Sequence, residues 1–359
     1  MKKVRFGLVS YGKVARLHAH ALAGLEEGVL AGVWGRDSAK RAAFANGCGC
    51  ASYPSIEAMV QDGVDAVIIA SPHPQHREHA VAALEAGAHV IVEKPMSLST
   101  ADCDAMIAAA DRNGKKLGVI CQRRWFPAVQ RLRKAIDDGK IGKPALGQVV
   151  MLGWRDEAYY SSDPWRGSWS GEGGGVLVNQ APHQLDLLQW FMGPVREVCA
   201  YHENLNHPYI EVEDTAVAIL RFEGGGLGSI LVSNSQKPGI YAKVHVHGRN
   251  GSSVGVQTDG GAMFIAGMSK ITEPPENDIW TVPGEEGLPA EWKKSDLELF
   301  QKIDATEYFH TLQFRDFAQA ILQDRNPAVD GREGRKAVAL IEAIYLSGRE
   351  KRPITFSSS

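Results

Sequence analysis

VDAVIIASPHPQHREHAVAALEAGAHVIVEKP, residues Val64 to Pro95, is the stretch whose reading settles the fold class. Apolar runs at 65–70 and 89–93 enclose an Ala-rich amphipathic stretch from Gln75 to Ala86. Short unbroken apolar runs read as strands buried on both faces of a parallel sheet, and parallel neighbours need a crossover between them, usually a helix. Upstream the same alternation recurs, with VRFGLV (4–9), VLAGVW (29–34) and an amphipathic stretch from Asp37 to Asn46. A repeated strand–helix–strand order implies right-handed crossovers and a doubly wound parallel sheet with helices on both faces. Ligands of such sheets bind beyond the carboxyl ends of the strands.

Past about residue 140 the texture changes. TAVAILRF (215–222) and LGSILVS (227–233) flank the turn EGGG, and AKVHVHG (242–248) and SSVGVQT (252–258) flank Asn250-Gly251. Both read as antiparallel hairpins. Helical patterns return at Glu307–Leu322 and Gly334–Ser347, while the stretch from Thr272 to Asp296, rich in Pro, Glu and Gly, reads as a long exposed loop. The expectation is an α/β chain of two domains. Residues 1–122 form the doubly wound parallel sheet, and 123–359 form an α+β domain with an open, mainly antiparallel sheet.

A chain of 359 residues, 44% apolar and 23% charged, is long enough for two cores and ordinary in composition. Its net charge of −3 and lack of a basic stretch argue against a nucleic-acid partner. No window approaches 18 uninterrupted apolar residues, and MKKVRFGLVSYG lacks the apolar core of a signal peptide. Cys48, Cys50, Cys103, Cys121 and Cys199 are odd in number and scattered, which fits a reducing cytoplasm better than a disulfide framework. Cys48 and Cys50 make a poor zinc half-site, and His18 with His20 resembles a metal pair only superficially, so no catalytic metal is expected.

After the first strand the chain reads Ser10-Tyr11-Gly12-Lys13-Val14-Ala15. Glycine, glycine and glycine or alanine usually stand at the positions of Ser10, Gly12 and Ala15 when such a turn binds a dinucleotide. Gly12 lets the backbone approach a pyrophosphate, and the helix starting there offers free N–H groups. Ser10 departs from the pattern. About twenty residues on, where an acid normally holds the ribose of NAD, the chain has Gly35 followed by Arg36. Glycine removes repulsion against a 2′-phosphate and Arg36 can pair with one, which favours NADP over NAD; Asp37 lies one residue beyond.

Glu93-Lys94-Pro95 at the end of the fifth strand, with its flanking run, resembles the glucose–fructose oxidoreductase/inositol dehydrogenase family (Gfo/Idh/MocA). The resemblance extends through RRWFPAVQRLRKAIDDGKIG, WRGSW, GGGVLVNQAPHQLDLLQWFMG, VEDTAVAILRFEGG and FHTLQFRDFAQAIL, nearly the whole chain. It implies a Rossmann domain followed by a substrate-binding and oligomerising domain. The implied activity is hydride transfer between a nicotinamide and a sugar, polyol or inositol, with Lys94 on a cis Lys-Pro turn facing both reactants. His183 aligns with the histidine beside the substrate. Many family members carry aspartate where this chain has Asn179, which can hold a hydroxyl but cannot take its proton; His183 is therefore the expected base and Lys94 the stabiliser of the alkoxide. By the same resemblance Ser71, Pro72, His76 and Glu93 belong to the cofactor loops, and Trp165 and Arg166 lie near cofactor and substrate. Arg123, Arg124, Tyr160, Gln180 and His310 are candidates for the sugar pocket.

Two other activities share this machinery: a redox-neutral glycoside-cleaving enzyme that regenerates its nicotinamide, and a dinucleotide-binding regulator without turnover. Lys94 and His183 speak against the regulator. The open sheet would leave apolar area uncovered, so a homodimer or homotetramer is expected.

Overall fold

The computed structural model describes residues 3–260 and 273–356. The chain forms two compact units, Met1–Gln122 with Thr306–Val338, and Arg123–Ala305 with Ala339–Ser359. A cut at residue 122 assigns 306–338 to the second domain; their contacts assign them to the first.

The first unit runs β1 (Val4–Val9), α1 (Lys13–Ala23), β2 (Gly28–Trp34), α2 (Ser38–Cys48), β3 (Ala51–Ser52), α3 (Ile56–Gln61), β4 (Ala66–Ile69), α4 (His76–Glu85), β5 (His89–Val92), α5 (Thr100–Asn113) and β6 (Leu117–Val119). Its sheet has the order β3-β2-β1-β4-β5-β6, and every pairing is parallel. All four residues of β4 are buried, as a strand covered on both faces requires. Phe314, Phe317 and Ala318 join Phe6, Leu8, Ile68 and Ile91 in one core cluster, so the segment returning from late in the chain is part of this core. The Gln313 side chain accepts Cys121 N–H at 2.9 Å and donates to Val119 O at 2.7 Å, saturating backbone groups at the β6 end.

The second unit contains α6 (Pro127–Asp137), β7 (Pro144–Leu152), α7 (Glu157–Ser161), α8 (Val176–Asn179), α9 (Pro182–Met192), β8 (Val195–Glu203), β9 (Thr215–Phe222), β10 (Leu227–Ser233), β11 (Tyr241–Gly248), β12 (Ser253–Gly260) and α10 (Leu288–Phe300). Next come α11 (Ala305–Leu322) and α12 (Gly331–Glu350), which carry the returning segment, and then β13 (Ile354–Thr355). The sheet order is β12-β11-β7-β10-β9-β8-β13; all pairings are antiparallel except β7 with β10. Both expected hairpins are present.

The loop reading of 272–296 is corrected. Thr272 lies outside the described residues, but residues from 273 onward are bridged to β12 at Glu276 and Trp280, and α10 begins at Leu288. Tertiary contacts hold this helix: Asp296 is ion-paired with Arg131, and Trp292 packs on Arg131 at 4.9 Å and on Trp280 at 4.8 Å. None of these partners is local, so composition alone suggested a loop.

Candidate active site

Beyond β1, Ser10 takes φ 121°, a value natural to glycine, and its Oγ accepts Gly12 N–H at 3.1 Å. Gly12 caps α1, with Lys13 and Val14 in the first turn, and has no side chain to cap the helix's first N–H groups. Among the described residues nothing demands glycine at 12: its φ is −74°, and a Cβ there would meet only Ser10 Oγ, at 3.5 Å. That open space is what a pyrophosphate needs, so the residues present fit a dinucleotide. At the end of β2 the Tyr11 ring covers Gly35, where a Cβ would lie 2.4 Å from Tyr11 Cε1. Tyr11 Oη accepts Asp37 N–H at 3.2 Å, Asp37 Oδ1 accepts Lys40 N–H at 3.0 Å to cap α2, and Arg36 is exposed.

The loops after β4 and β5 are tied together. His76 is fully buried, with Nε2 against Ser71 O at 2.8 Å and Nδ1 against Pro95 O at 3.0 Å. Burial lowers its pKa, against the two carbonyl contacts, which work to raise it. His76 therefore braces the cofactor loop from within, a correction to its expected contact with the ligand. Ser71 Oγ is held by His79 Nδ1 at 2.9 Å, and Pro72 is exposed. Glu93 receives His18 Nε2 at 2.8 Å and Lys94 N–H at 3.0 Å, and the Lys94–Pro95 bond is cis as expected. Burial works to raise the Glu93 carboxyl, but the His18 hydrogen bond and neighbouring charges, Lys94 among them, hold it down at about 2. His310 donates Nδ1–H to Thr306 O at 2.8 Å and packs its ring 5.3 Å from that of His18. It stands at 5% exposure behind Glu93 in the first unit, so it is buried support and not a pocket wall. His18, Glu93 and His310 bring ligand-type atoms within 4.8 Å of one another, with His18 and Glu93 joined directly by a hydrogen bond.

In the second unit, Asn179 ends α8 and His183 stands in the first turn of α9, the two joined through Gln180 and Ala181 in helical conformation. Pro182 occupies the start of α9, where its missing N–H costs nothing. Buried Glu213 fixes α8 by accepting Gly175 N–H at 2.9 Å, Leu177 N–H at 3.0 Å and Tyr345 O–H at 2.9 Å. Its burial outweighs those bonds and pushes the carboxyl up to about 7. Tyr159 Oη is a hub: it accepts Asn179 Nδ2 at 3.1 Å, Gln180 Nε2 at 3.0 Å and Arg166 Nη1 at 2.5 Å. The Arg166 guanidinium packs on Tyr159 at 4.3 Å and on Trp165 at 4.4 Å. Glu172, 1% exposed, accepts a hydrogen bond from Asn179 Nδ2.

Three pocket candidates are corrected. Arg124 is buried in a bidentate pair with Asp186, at 2.6 and 2.9 Å, and Arg123 is ion-paired with buried Asp259. Tyr160 is 6% exposed, its ring among Tyr159, His207 and Tyr209. Its neighbour Tyr159 meets Asn179 instead. One residue along a helix turns a side chain through about 100°, so only one of two adjacent tyrosines can point each way. The Asp156 cap, which accepts Tyr159 N–H at 2.9 Å, was the signal that sets the phase. Glu172 was also missed; a lone carboxylate inside SGEGGG was its only mark.

Comparison with known proteins agrees with this geometry. The model of the oxidoreductase family with an NAD-binding Rossmann fold matches residues 4–121, and that of the GFO/IDH/MocA C-terminal domain matches residues 129–254. The chain belongs to the GFO/IDH/MocA family. Among GFO/IDH/MocA relatives, the myo-inositol 2-dehydrogenase of Thermotoga maritima is 26% identical over 98% of each chain. The NADP(+)-dependent scyllo-inositol 2-dehydrogenase of Bacillus subtilis is 27% identical over 81% of this chain and 78% of its own. The WlbA dehydrogenase of Bordetella pertussis, solved with NADH and UDP-GlcNAcA, is 30% identical over 100% of this chain and 99% of its own, with a TM-score of 0.85.

Proposed function

We propose that this chain is an NAD(P)-dependent oxidoreductase acting on a secondary hydroxyl, or the matching ketone, of a sugar or polyol. The observation that carries the reading is the carboxyl end of the adjacent strands β1, β4 and β5, from which the open N-terminus of α1 and Lys94 both emerge. When bound, the nicotinamide supplies the acceptor or donor of hydride. Lys94 donates to the reacting oxygen and stabilises negative charge there. His183 takes the hydroxyl proton. Asn179 and Gln180 hold substrate hydroxyls, with Arg166 and Trp165 beside them.

NADP is the favoured cofactor. Tyr11 covers the place of the usual ribose-binding acid, Asp37 is engaged as a helix cap, and Arg36 is exposed for a 2′-phosphate. A second copy of the chain is the proposed partner, through the open face of the second sheet. There Tyr201, Ile219 and Leu227 are 70%, 64% and 55% exposed.

The test is reduced-nicotinamide absorbance with NAD and NADP across inositols, aldoses, glycosides and a UDP-linked uronic acid, with Lys94→Ala beside the wild type. Turnover with NADP, reduced roughly a hundred- to a thousand-fold in the variant, is the expected result. Glycoside consumption without net reduction points to the redox-neutral cleaving route. Cofactor binding without any turnover points to a regulator.

A further inference from the structure

His18 Nε2 and Glu93 Oε1 meet at 2.8 Å, and a ring nitrogen of His310 completes a group whose ligand-type atoms lie within 4.8 Å of one another. All three residues belong to the first unit: His18 on α1, Glu93 just past β5, and His310 on α11. Two imidazoles and one carboxylate are a donor set for Zn2+ and its first-row neighbours.

The groups around this triad are placed as the outer shell of a metal usually is. His310 donates Nδ1–H to Thr306 O at 2.8 Å, so in the neutral ring the lone pair is on Nε2. Glu93 Oε2 accepts Lys94 N–H at 3.0 Å, while Oε1 faces His18. The two helices are themselves tied, since Thr311 Oγ1, one residue past His310, donates to Ala21 O on α1 at 2.8 Å. His18 is the member that the protein alone does not complete. Its ring is fully buried, with the Phe314 ring 5.3 Å away, and its Nδ1 has no hydrogen-bond partner. A phenylalanine would fill such a place without leaving a polar atom unpaired, so a histidine there calls for another reason.

We propose that His18, Glu93 and His310 form a metal site that takes a divalent transition ion of the Zn2+ type and clips α1, the end of β5 and α11 together. Ligand atoms about 2.1 Å from a tetrahedral zinc stand about 3.4 Å apart. The His18–Glu93 contact therefore opens by roughly half an ångström and the wider separations close. The ion takes the place of the hydrogen between Nε2 and Oε1, and that hydrogen passes to Nδ1. One carboxylate and two neutral imidazoles leave a fourth position for water. Because Glu93 directly precedes Lys94 and accepts its N–H, the same ion stiffens the turn that carries Lys94.

The test uses the full chain without a polyhistidine tag, stripped by a chelator and dialysed. Co2+ is the first probe, because it accepts the geometry of zinc and absorbs visible light when tetrahedral. The expected result is one Co2+ bound per chain, displaced by Zn2+. Zn2+ at a hundredfold excess over its Kd should also raise the melting temperature by about 3 °C or more. His18→Gln and His310→Gln should each weaken Co2+ binding at least about tenfold, with circular dichroism reporting that the variant is folded. A readout free of any variant is anomalous scattering at the zinc edge from wild-type crystals grown with Zn2+, with a peak expected among the three side chains. No Co2+ binding by the wild type overturns the proposal. So does binding that both folded variants retain, or an anomalous peak elsewhere, since other side chains then hold the ion.

Discussion

Gly12 illustrates how a single residue separates folding from binding. Its backbone angles suit any amino acid, and a methyl group there would rest at ordinary distance from Ser10 Oγ. Gly12→Ala should therefore melt as wild type in the absence of cofactor yet bind the reduced dinucleotide about tenfold more weakly. Nucleotide fluorescence titrations beside cofactor-free melts check both halves; a destabilised variant with normal affinity would show that the glycine serves the fold. At this scale the sequence was most readable where position along the chain fixes direction. Lys94 follows a buried strand and Gly12 opens a helix, so their place at the strand ends could be read without coordinates. Tyr159 and Tyr160 could not be separated that way, because the choice depends on the phase of a five-residue helix. Arg123 and Arg124 looked free because their acids, Asp259 and Asp186, lie 136 and 62 residues away.

Among the elements, α8 depends most visibly on one side chain. It is a four-residue helix, too short to persist alone, and Glu213 supplies acceptors for Gly175 and Leu177. Because the folded carboxyl is pushed up to about 7 from 4.5, the folded state holds a proton that the unfolded state has released between those values. Stability from this group is thus full below pH 4.5 and declines as pH rises towards 7, by a few kcal/mol at most. Glu213→Gln removes that slope. Chemical denaturation of both proteins at pH 5 and pH 7 should show the wild-type stability falling relative to the variant over that interval; parallel curves would mean that Glu213 does not titrate there. The strands were legible because alternation and unbroken apolar runs are local patterns. Helix α10 was not, since its Trp292 and Asp296 find their partners on α6 and beside β12.

For the molecule as a whole, the second sheet buries one face and leaves Tyr201, Val217, Ile219 and Leu227 exposed on the other. Tyr201 lies directly opposite Val217 in the β8–β9 ladder and Val217 opposite Leu231 in the β9–β10 ladder, so exposed apolar groups of adjacent strands meet on this face. If a second copy covers it, Ile219→Glu should lower the solution mass measured by light scattering to that of one chain or one pair, with the melting profile of the isolated unit retained. A mass unchanged by the charge would place the contact elsewhere. The parallel sheet was written in the alternation of strand and helix, and the second sheet in its hairpins. The return of 306–338 to the first unit was not, because nothing in an amphipathic helix names the core it will join. That return has a consequence for biosynthesis. Chains emerge from the ribosome amino end first, and domains commonly fold as they appear. Here the first unit lacks Phe314, Phe317 and Ala318 from its core until all the residues between 122 and 314 have been made. The strands of this unit are translated long before the side chains that complete their core. An amino-terminal fragment ending near residue 122 would expose the apolar surface those side chains cover, and it should appear in cells as a client of chaperones, not as a free-standing domain.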